Sequence, residues 1–211
     1  MKIFNSDILI KKTSCNCADL PGHQIPPSVN LFVKVTKGCN AHCAFCSNAG
    51  CQSPTSLFDI EKMIRIIYEL KSKGIIVNRM NITGGEPSVV SPLVVRILDA
   101  IDKEHFDDVH LHLNTNGVTM QAQDLMQHPR WDSISMSLHH YDVNRLSDLY
   151  GCEIPAHLLH FTGVDKQKIN FSCNLIKGYI DNKEEVRKML DLTLDTGIRR
   201  IGFVALMPVN S

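Results

Sequence analysis

Three cysteines, Cys39, Cys43 and Cys46, lie within eight positions of the chain, a cluster typical of metal binding. Thiolates bind zinc, copper(I) and iron–sulfur clusters, and structural zinc commonly takes two Cys-x-x-Cys pairs that lie well apart in the sequence. Spacings of three and two intervening residues instead suit three corners of a cubane cluster wrapped by one loop. The fourth iron of such a cluster would be open to a small chelating ligand.

Polar and glycine-rich segments follow the later predicted strands, each at the point where a strand ends. These segments are Gly84–Pro87, Asn114–Gly117, Ser137 with His139, Asn174, and Met207 with Pro208. Ligands of parallel α/β folds bind at the carboxyl ends of the strands. The convergence of these segments with the cysteine loop on one rim therefore predicts a single active site.

Strand-like and helix-like patterns alternate along the chain and predict an α/β fold. The predicted strands lie at 29–35, 79–83, 108–117, 132–140, 168–176 and 199–208, and the predicted helices at 59–73, 91–102, 120–128, after Asp142 and at 184–196. Short connections favour a partial (β/α)6 TIM-like barrel with parallel strands over a doubly wound sheet, which remains the alternative. We expect residues 1–28 to be an irregular N-terminal segment and 29–211 to be the barrel core, with the C-terminal part of the barrel absent from this chain.

Composition excludes several classes of protein. The 211 residues include 22 Lys and Arg and 22 Asp and Glu, so no overall charge favours nucleic acid or a membrane surface. No apolar run has the length that a transmembrane helix requires, and the N-terminus lacks the pattern of a signal peptide. We therefore expect a cytoplasmic protein with neither a membrane nor a nucleic acid as its partner.

Several of these motifs together resemble one enzyme family. Cys39-x-x-x-Cys43-x-Phe45-Cys46 resembles the signature of the radical S-adenosylmethionine (radical SAM) superfamily, including the aromatic residue before the third cysteine. "TGGEP" (83–87), "TNG" (115–117) and "SLH" (137–139) are similar to its later motifs. Residues 170–186 and 199–208 resemble the fifth and sixth strands of members such as the molybdenum-cofactor cyclase and peptide-maturing enzymes.

The resemblance implies a cofactor set and a reaction. The three cysteines would hold a 4Fe-4S cluster, and SAM would chelate the open iron. One electron, from a reductant such as flavodoxin or ferredoxin, would cleave SAM to methionine and a 5′-deoxyadenosyl radical. The radical would abstract hydrogen from a small-molecule or peptide substrate, with a peptide or a cofactor precursor favoured. The protein supplies binding and orientation in such chemistry.

The resemblance also assigns SAM contacts by position. Gly84, Gly85 and Glu86 would meet the amino group of SAM, and Pro87 would fix their loop. Asn114 or Thr115, with Ser137 and Asn174, would contact the carboxylate and ribose. Phe45 would lie near the adenine, with the backbone at Leu206 and Met207 close by. His139 stands where the family often has Asp, and the group from His139 to Asp142 is a candidate substrate contact.

Other readings of the same residues remain open. The cysteines could belong to a zinc or iron–sulfur protein that binds or senses without radical catalysis, and Cys15, Cys17 or Cys51 could supply a fourth ligand. His110-Leu111-His112 places two imidazoles on one face of a strand, as metal-dependent hydrolases do. No Asp or Lys set completes a hydrolase site, so we interpret these histidines as structural or as part of a substrate cavity. Cys152 and Cys173 are expected to be small buried apolar residues.

Overall fold

A computed structural model of the protein describes residues 2–3, 6–7, 27–46 and 58–206. Cys15, Cys17, Cys51 and Met207 lie outside these ranges. Within the expected irregular N-terminal segment, strand β1 (Lys2–Ile3) pairs antiparallel with β2 (Ser6–Asp7). Across the described ranges, no helix is both long and apolar enough to cross a membrane.

Six parallel strands form one curled sheet, in which each strand pairs with the next along the chain. The strands are β3 (Ser28–Lys34), β4 (Ile76–Thr83), β5 (His110–Thr115), β6 (Ser133–Ser137), β7 (Ile169–Leu175) and β8 (Ile201–Ala205). The sheet is a half-barrel, with β3 and β8 at its two edges. This arrangement confirms the predicted partial (β/α)6 barrel with parallel strands.

Five helices cover the outer face of the half-barrel. They are α1 (Ile60–Ser72), α2 (Ser91–Lys103), α3 (Met120–Met126), α4 (Val143–Tyr150) and α5 (Lys183–Asp195). The Asp142 side chain accepts hydrogen bonds from two backbone N–H groups and caps α4, as predicted. Strand β4 begins three residues earlier than predicted, because Ile76 and Val77 pair with the first two residues of β3. Strands β6 and β8 are shorter than predicted.

The two faces of the sheet differ in chemistry. The outward residues of the central strands are fully buried against the helices, as Leu111, Leu113, Ile134 and Phe171 illustrate. Successive side chains of a strand point to opposite faces, so the alternate positions face the concave side. In β4 to β7 those positions are Arg79, Asn81, Thr83, His110, His112, Asn114, Ser133, Ser135, Ser137, Asn170, Ser172 and Asn174. The concave side of these four strands is therefore polar, unlike the apolar layers that fill a closed TIM barrel.

Two glycines let the loop after β4 pack directly on the loop after β3. The Gly85 backbone N–H donates to the Thr36 carbonyl at 2.9 Å, and the Glu86 N–H donates to the Gly38 carbonyl at 2.8 Å. A Cβ on Gly85 would lie 2.1 Å from the Gly38 oxygen, and one on Gly84 would lie 2.6 Å from the Thr36 oxygen. The obstacle in both cases is backbone, which has no room to give, so both positions require glycine.

Replacing Gly85 with alanine should therefore destabilise the fold. We expect Gly85→Ala to lower the free energy of unfolding by about 2–3 kcal/mol, because the new methyl group forces two backbone segments apart. Urea denaturation measures this change. Gly202→Ala in β8 is the control, since nothing lies within 4 Å of a Cβ at that position. Equal stability of the two variants would contradict the close packing of the two loops.

Candidate functional site

A pocket of about 360 Å³ opens at the carboxyl ends of the strands, beside the cysteine loop. It is lined by Cys39, Cys43, Phe45, Cys46, Thr83, Gly85, Glu86, Asn114, Thr115, Asn116, Ser137, His139, Tyr150, Ser172, Asn174 and Leu206. Its volume lies within the range of small-molecule sites. Strands β4 to β7 contribute residues to this one cavity, and the segments that follow β3 and β8 complete it, as the positions of the motifs predict.

The structure brings most of the predicted site residues together. All three predicted metal ligands line the pocket, as do Phe45, Gly85, Glu86, Asn114, Thr115, Ser137 and Asn174. Gly84 and Pro87 belong to the same loop but are not lining residues, and Met207 lies outside the described residues. Their roles in binding a cofactor stay predictions.

Four lining residues were missed by the sequence analysis. Thr83 and Ser172 lie two residues before Gly85 and Asn174, so strand alternation places each on the concave face and could have identified it. Asn116 belongs to the predicted rim segment Asn114–Gly117, but no motif assigns it a contact of its own. Tyr150 ends helix α4, and no motif marks it.

The three cysteine thiols lie on one wall of the pocket. Cys39 and Cys43 are half-buried and Cys46 is exposed. Burial raises the pKa of the Cys43 thiol to about 11, and the neighbouring Cys39 and Cys46 add to that rise. The Cys39 sulfur accepts hydrogen bonds from the Ala41 N–H at 3.4 Å and from the Asn116 amide at 3.9 Å.

This donor set fits an iron–sulfur cluster, because three thiols of one loop line the same pocket. In a cubane cluster each thiolate binds a different iron, so the sulfurs surround a volume and do not meet at one point. Hydrogen bonds to cysteine sulfur, such as those at Cys39, help to set the potential of iron–sulfur clusters.

Glu86 connects the loops that follow β4 and β5. Its carboxylate accepts hydrogen bonds from the Ser88 N–H at 3.0 Å, the Thr115 hydroxyl at 2.7 Å and the Asn116 N–H at 2.7 Å. The side chain is 1% exposed. Burial raises the pKa of the Glu86 carboxyl, and the three hydrogen bonds oppose that rise. Three of the roughly four acceptor sites of this carboxylate are thus used within the protein, so the carboxylate holds the rim together.

Asn116 links the same rim to the cysteine loop. Its backbone N–H donates to Glu86, and its side-chain amide donates to the Asn40 side chain at 2.9 Å. The loops after β3, β4 and β5 are thus joined through hydrogen bonds that meet at Glu86 and Asn116.

The His-x-His pair contacts Ser133 and Arg79 on the concave face of the sheet. The His110 Nε2 and His112 Nδ1 atoms each lie 2.7 Å from the Ser133 hydroxyl, and the Arg79 guanidinium lies 3.3 Å from His110 Nε2. Burial, followed by the positive charge of Arg79, lowers the pKa of both histidines, to about 4 for His112. The pair belongs to the polar lining of the half-barrel, which agrees with the structural or cavity interpretation.

The residues from His139 to Asp142 do not share one environment. Only His139 lines the pocket. The Tyr141 hydroxyl donates to Glu185 in α5 at 2.7 Å, and Asp142 caps α4. His140, Tyr141 and Asp142 line a separate cavity, so of this group only His139 lies beside the cysteines, and the substrate contact stays a prediction.

Comparisons with known proteins agree with this geometry. A family model described as the Radical SAM superfamily matches residues 33–208. "Probable GTP 3′,8-cyclase" of Saccharolobus solfataricus is 26% identical over 191 residues, which cover 87% of this chain and 59% of that protein. The protein of the same name from Archaeoglobus fulgidus is 32% identical over 100 residues, 46% of this chain and 31% of that protein. The chain thus spans less than two thirds of the length of these relatives.

Solved structures share the fold. Streptococcus suis SuiB bound to S-adenosylmethionine superposes with a TM-score of 0.65 at 19% identity, over 85% of this chain and 41% of that chain. Coproporphyrinogen III oxidase (HemN) from Escherichia coli, described as a radical SAM enzyme, superposes with a TM-score of 0.55 at 15% identity. That match covers 85% of this chain and 44% of the HemN chain.

Glu86→Gln should destabilise the protein, although the side chain keeps its shape. Glutamine offers one oxygen where the carboxylate uses two, so its NH2 group would face a backbone N–H that loses its acceptor. We expect a loss of about 1–3 kcal/mol in the free energy of unfolding, measured by urea denaturation. Glu61→Gln on the exposed face of α1 is the control. An unchanged stability for Glu86→Gln would show that the carboxylate does not join the loops.

Proposed function

Because the chain belongs to the radical SAM superfamily, we propose that it is the core of an enzyme that cleaves SAM reductively at a 4Fe-4S cluster. The observation that carries this proposal is the single pocket into which three thiols and the rims of the later strands converge. When bound, the cluster and SAM supply a 5′-deoxyadenosyl radical that abstracts a hydrogen atom from the substrate. We further propose that residues 29–211 form this core.

The cysteine wall holds the cluster in this proposal. Cys39, Cys43 and Cys46 are the three thiolate ligands, and binding to iron would deprotonate them, including the Cys43 thiol, whose pKa is raised by burial. Asn116 and the Ala41 N–H hold the Cys39 sulfur in place. In this proposal three thiolates hold three irons, and the fourth iron is left to SAM.

The other walls hold SAM. Because the Glu86 carboxylate already accepts three hydrogen bonds, we assign the SAM amino group to the backbone of the Gly84–Glu86 loop and not to that side chain. Ser137 and Asn174, with Asn114 or Thr115, offer hydroxyl and amide groups for the carboxylate and ribose. Phe45 offers an apolar ring for the adenine.

The substrate proposed is a polar small molecule of the cofactor-precursor class. The concave face of β4 to β7 carries polar side chains at each inward position, and these need polar partners or water. Relatives named "Probable GTP 3′,8-cyclase" point in the same direction and make a purine nucleotide the first molecule to test. SuiB bound to a precursor peptide shares only the fold with this chain, so a peptide is the second candidate. The proposed electron donor is a small reductant of the flavodoxin or ferredoxin type.

Reductive cleavage of SAM is the first prediction of this proposal. We expect anaerobically reconstituted protein, reduced with dithionite in the presence of SAM, to form 5′-deoxyadenosine, which chromatography with mass spectrometry measures. Cys39→Ala should lose iron and abolish the product. Cys173→Ala is the control, because that thiol is buried on the helix-covered face of β7. Protein that stays colourless and holds zinc would support the zinc-protein alternative instead.

Substrate choice gives a second prediction. We expect GTP to increase the rate of 5′-deoxyadenosine formation severalfold over the substrate-free reaction, because a bound substrate traps the radical by donating hydrogen. ATP is the matched control nucleotide. Equal rates with GTP, with ATP and without nucleotide would reject the nucleotide while leaving SAM cleavage intact.

A further inference from the structure

His139 contacts both the cysteine loop and strand β7, on two sides of the pocket. It follows β6, is 6% exposed, and lies between the cysteine loop and β7. Its ring packs edge-on against the ring of Phe45, with centroids 4.9 Å apart and an interplanar angle of 84°. On the other side its Nδ1 accepts a hydrogen bond from the Asn174 backbone N–H at 3.1 Å.

The hydrogen bond from Asn174 determines the tautomer of His139. A backbone N–H can only donate, so the Nδ1 atom is the unprotonated nitrogen and Nε2 carries the hydrogen. Burial lowers the pKa of His139 to about 4, so the ring is neutral near neutral pH. His139 therefore acts as a fixed, uncharged ring with one committed acceptor.

Tyr150 reinforces the same connection. Its ring lies edge-on to His139, with centroids 5.6 Å apart. Its hydroxyl donates to the Ser137 carbonyl at 2.7 Å, and its carbonyl accepts from the His42 N–H of the cysteine loop, also at 2.7 Å. The loop that follows β3 is thus joined to the ends of β6 and β7 through two buried side chains.

We propose that His139 is a positioning residue that holds Phe45 and Asn174 at a fixed separation, so that the adenosyl group of SAM fits between them. This inference rests on the proposed function. β3 and β8 are the opposite edges of the open sheet and do not pair with each other. The position of the cysteine loop, which follows β3, relative to β7 is therefore not set by strand pairing between these edges. The side-chain bridge through His139 supplies that connection, and it acts through Phe45 and Asn174.

Two substitutions separate the two contacts of His139. His139→Asn places an amide oxygen near the position of Nδ1, so it keeps the acceptor for Asn174 and loses the ring contacts. His139→Phe keeps a ring beside Phe45 and leaves the Asn174 N–H without an acceptor. The same two changes at the exposed His160 are the matched controls. Urea denaturation shows whether each variant is folded before any binding is measured.

The measurements are the SAM dissociation constant of the cluster-loaded protein, by equilibrium binding, and the change that SAM causes in the electron paramagnetic resonance spectrum of the reduced cluster. We expect His139→Phe to weaken SAM binding at least about fivefold, because a buried N–H loses its acceptor. We expect His139→Asn to weaken binding about two- to tenfold through loss of the edge-on ring contact. Both variants should also alter the SAM-dependent spectrum.

A Phe45→Leu background distinguishes positioning from a general loss of stability. If His139 acts through Phe45, then His139→Asn should have no further effect on SAM affinity in that background, whereas His139→Phe should keep its effect through Asn174. Equal effects of His139→Asn in both backgrounds, or wild-type affinity in both single variants, would overturn the proposal while the proposed function stands. A wild-type protein that binds no SAM would overturn both.

Discussion

The arrangement of the pocket depends on one buried carboxylate. Glu86 accepts hydrogen bonds from its own loop, from the last residue of β5 and from the residue that follows it. Through Asn116 the same network reaches Asn40 and the sulfur of Cys39. This network holds the loops after β3, β4 and β5 in one relative position. The parallel strands alone would only place these loops side by side. Burying this carboxyl opposes its ionisation, and the three donors offset that cost.

The glycines beside Glu86 follow from the same constraint. For the Glu86 N–H to reach the Gly38 carbonyl, the chain at Gly85 must pass the loop after β3 without a Cβ between them. Gly84, Gly85 and Glu86 are therefore needed for the packing of the two loops. Any contact of their backbone with SAM is a second role. This explains how a single short motif can serve both the fold and the site.

Sequence reasoning was most successful where one regular pattern determines the outcome. The alternation of β5 predicts its two faces, and the motifs that end the strands predict a common rim, because parallel strands bring their carboxyl ends together. It could not find Tyr150, whose position depends on how α4 packs under the cysteine loop. Sequence reasoning also could not tell that His139 lines the pocket and His140 does not, because the point at which β6 ends depends on its pairing with β7. Likewise, no local pattern reveals that Glu86 joins two loops, because two of its three donors, the Thr115 hydroxyl and the Asn116 N–H, come from the end of β5.

The charge of the pocket completes the argument for a cationic cofactor. Its described lining contains three thiols and a carboxyl, and neither lysine nor arginine is among those residues. Once deprotonated, the three sulfurs repel each other, so a cation bound among them stabilises them together. Iron supplies this positive charge directly, and SAM brings a sulfonium and an ammonium group. A carboxylate at position 139 would add another negative charge to this wall, whereas the neutral ring of His139 adds none. Because His139 is neutral, the net charge of the pocket depends on the three thiolates and on the groups that bind to them.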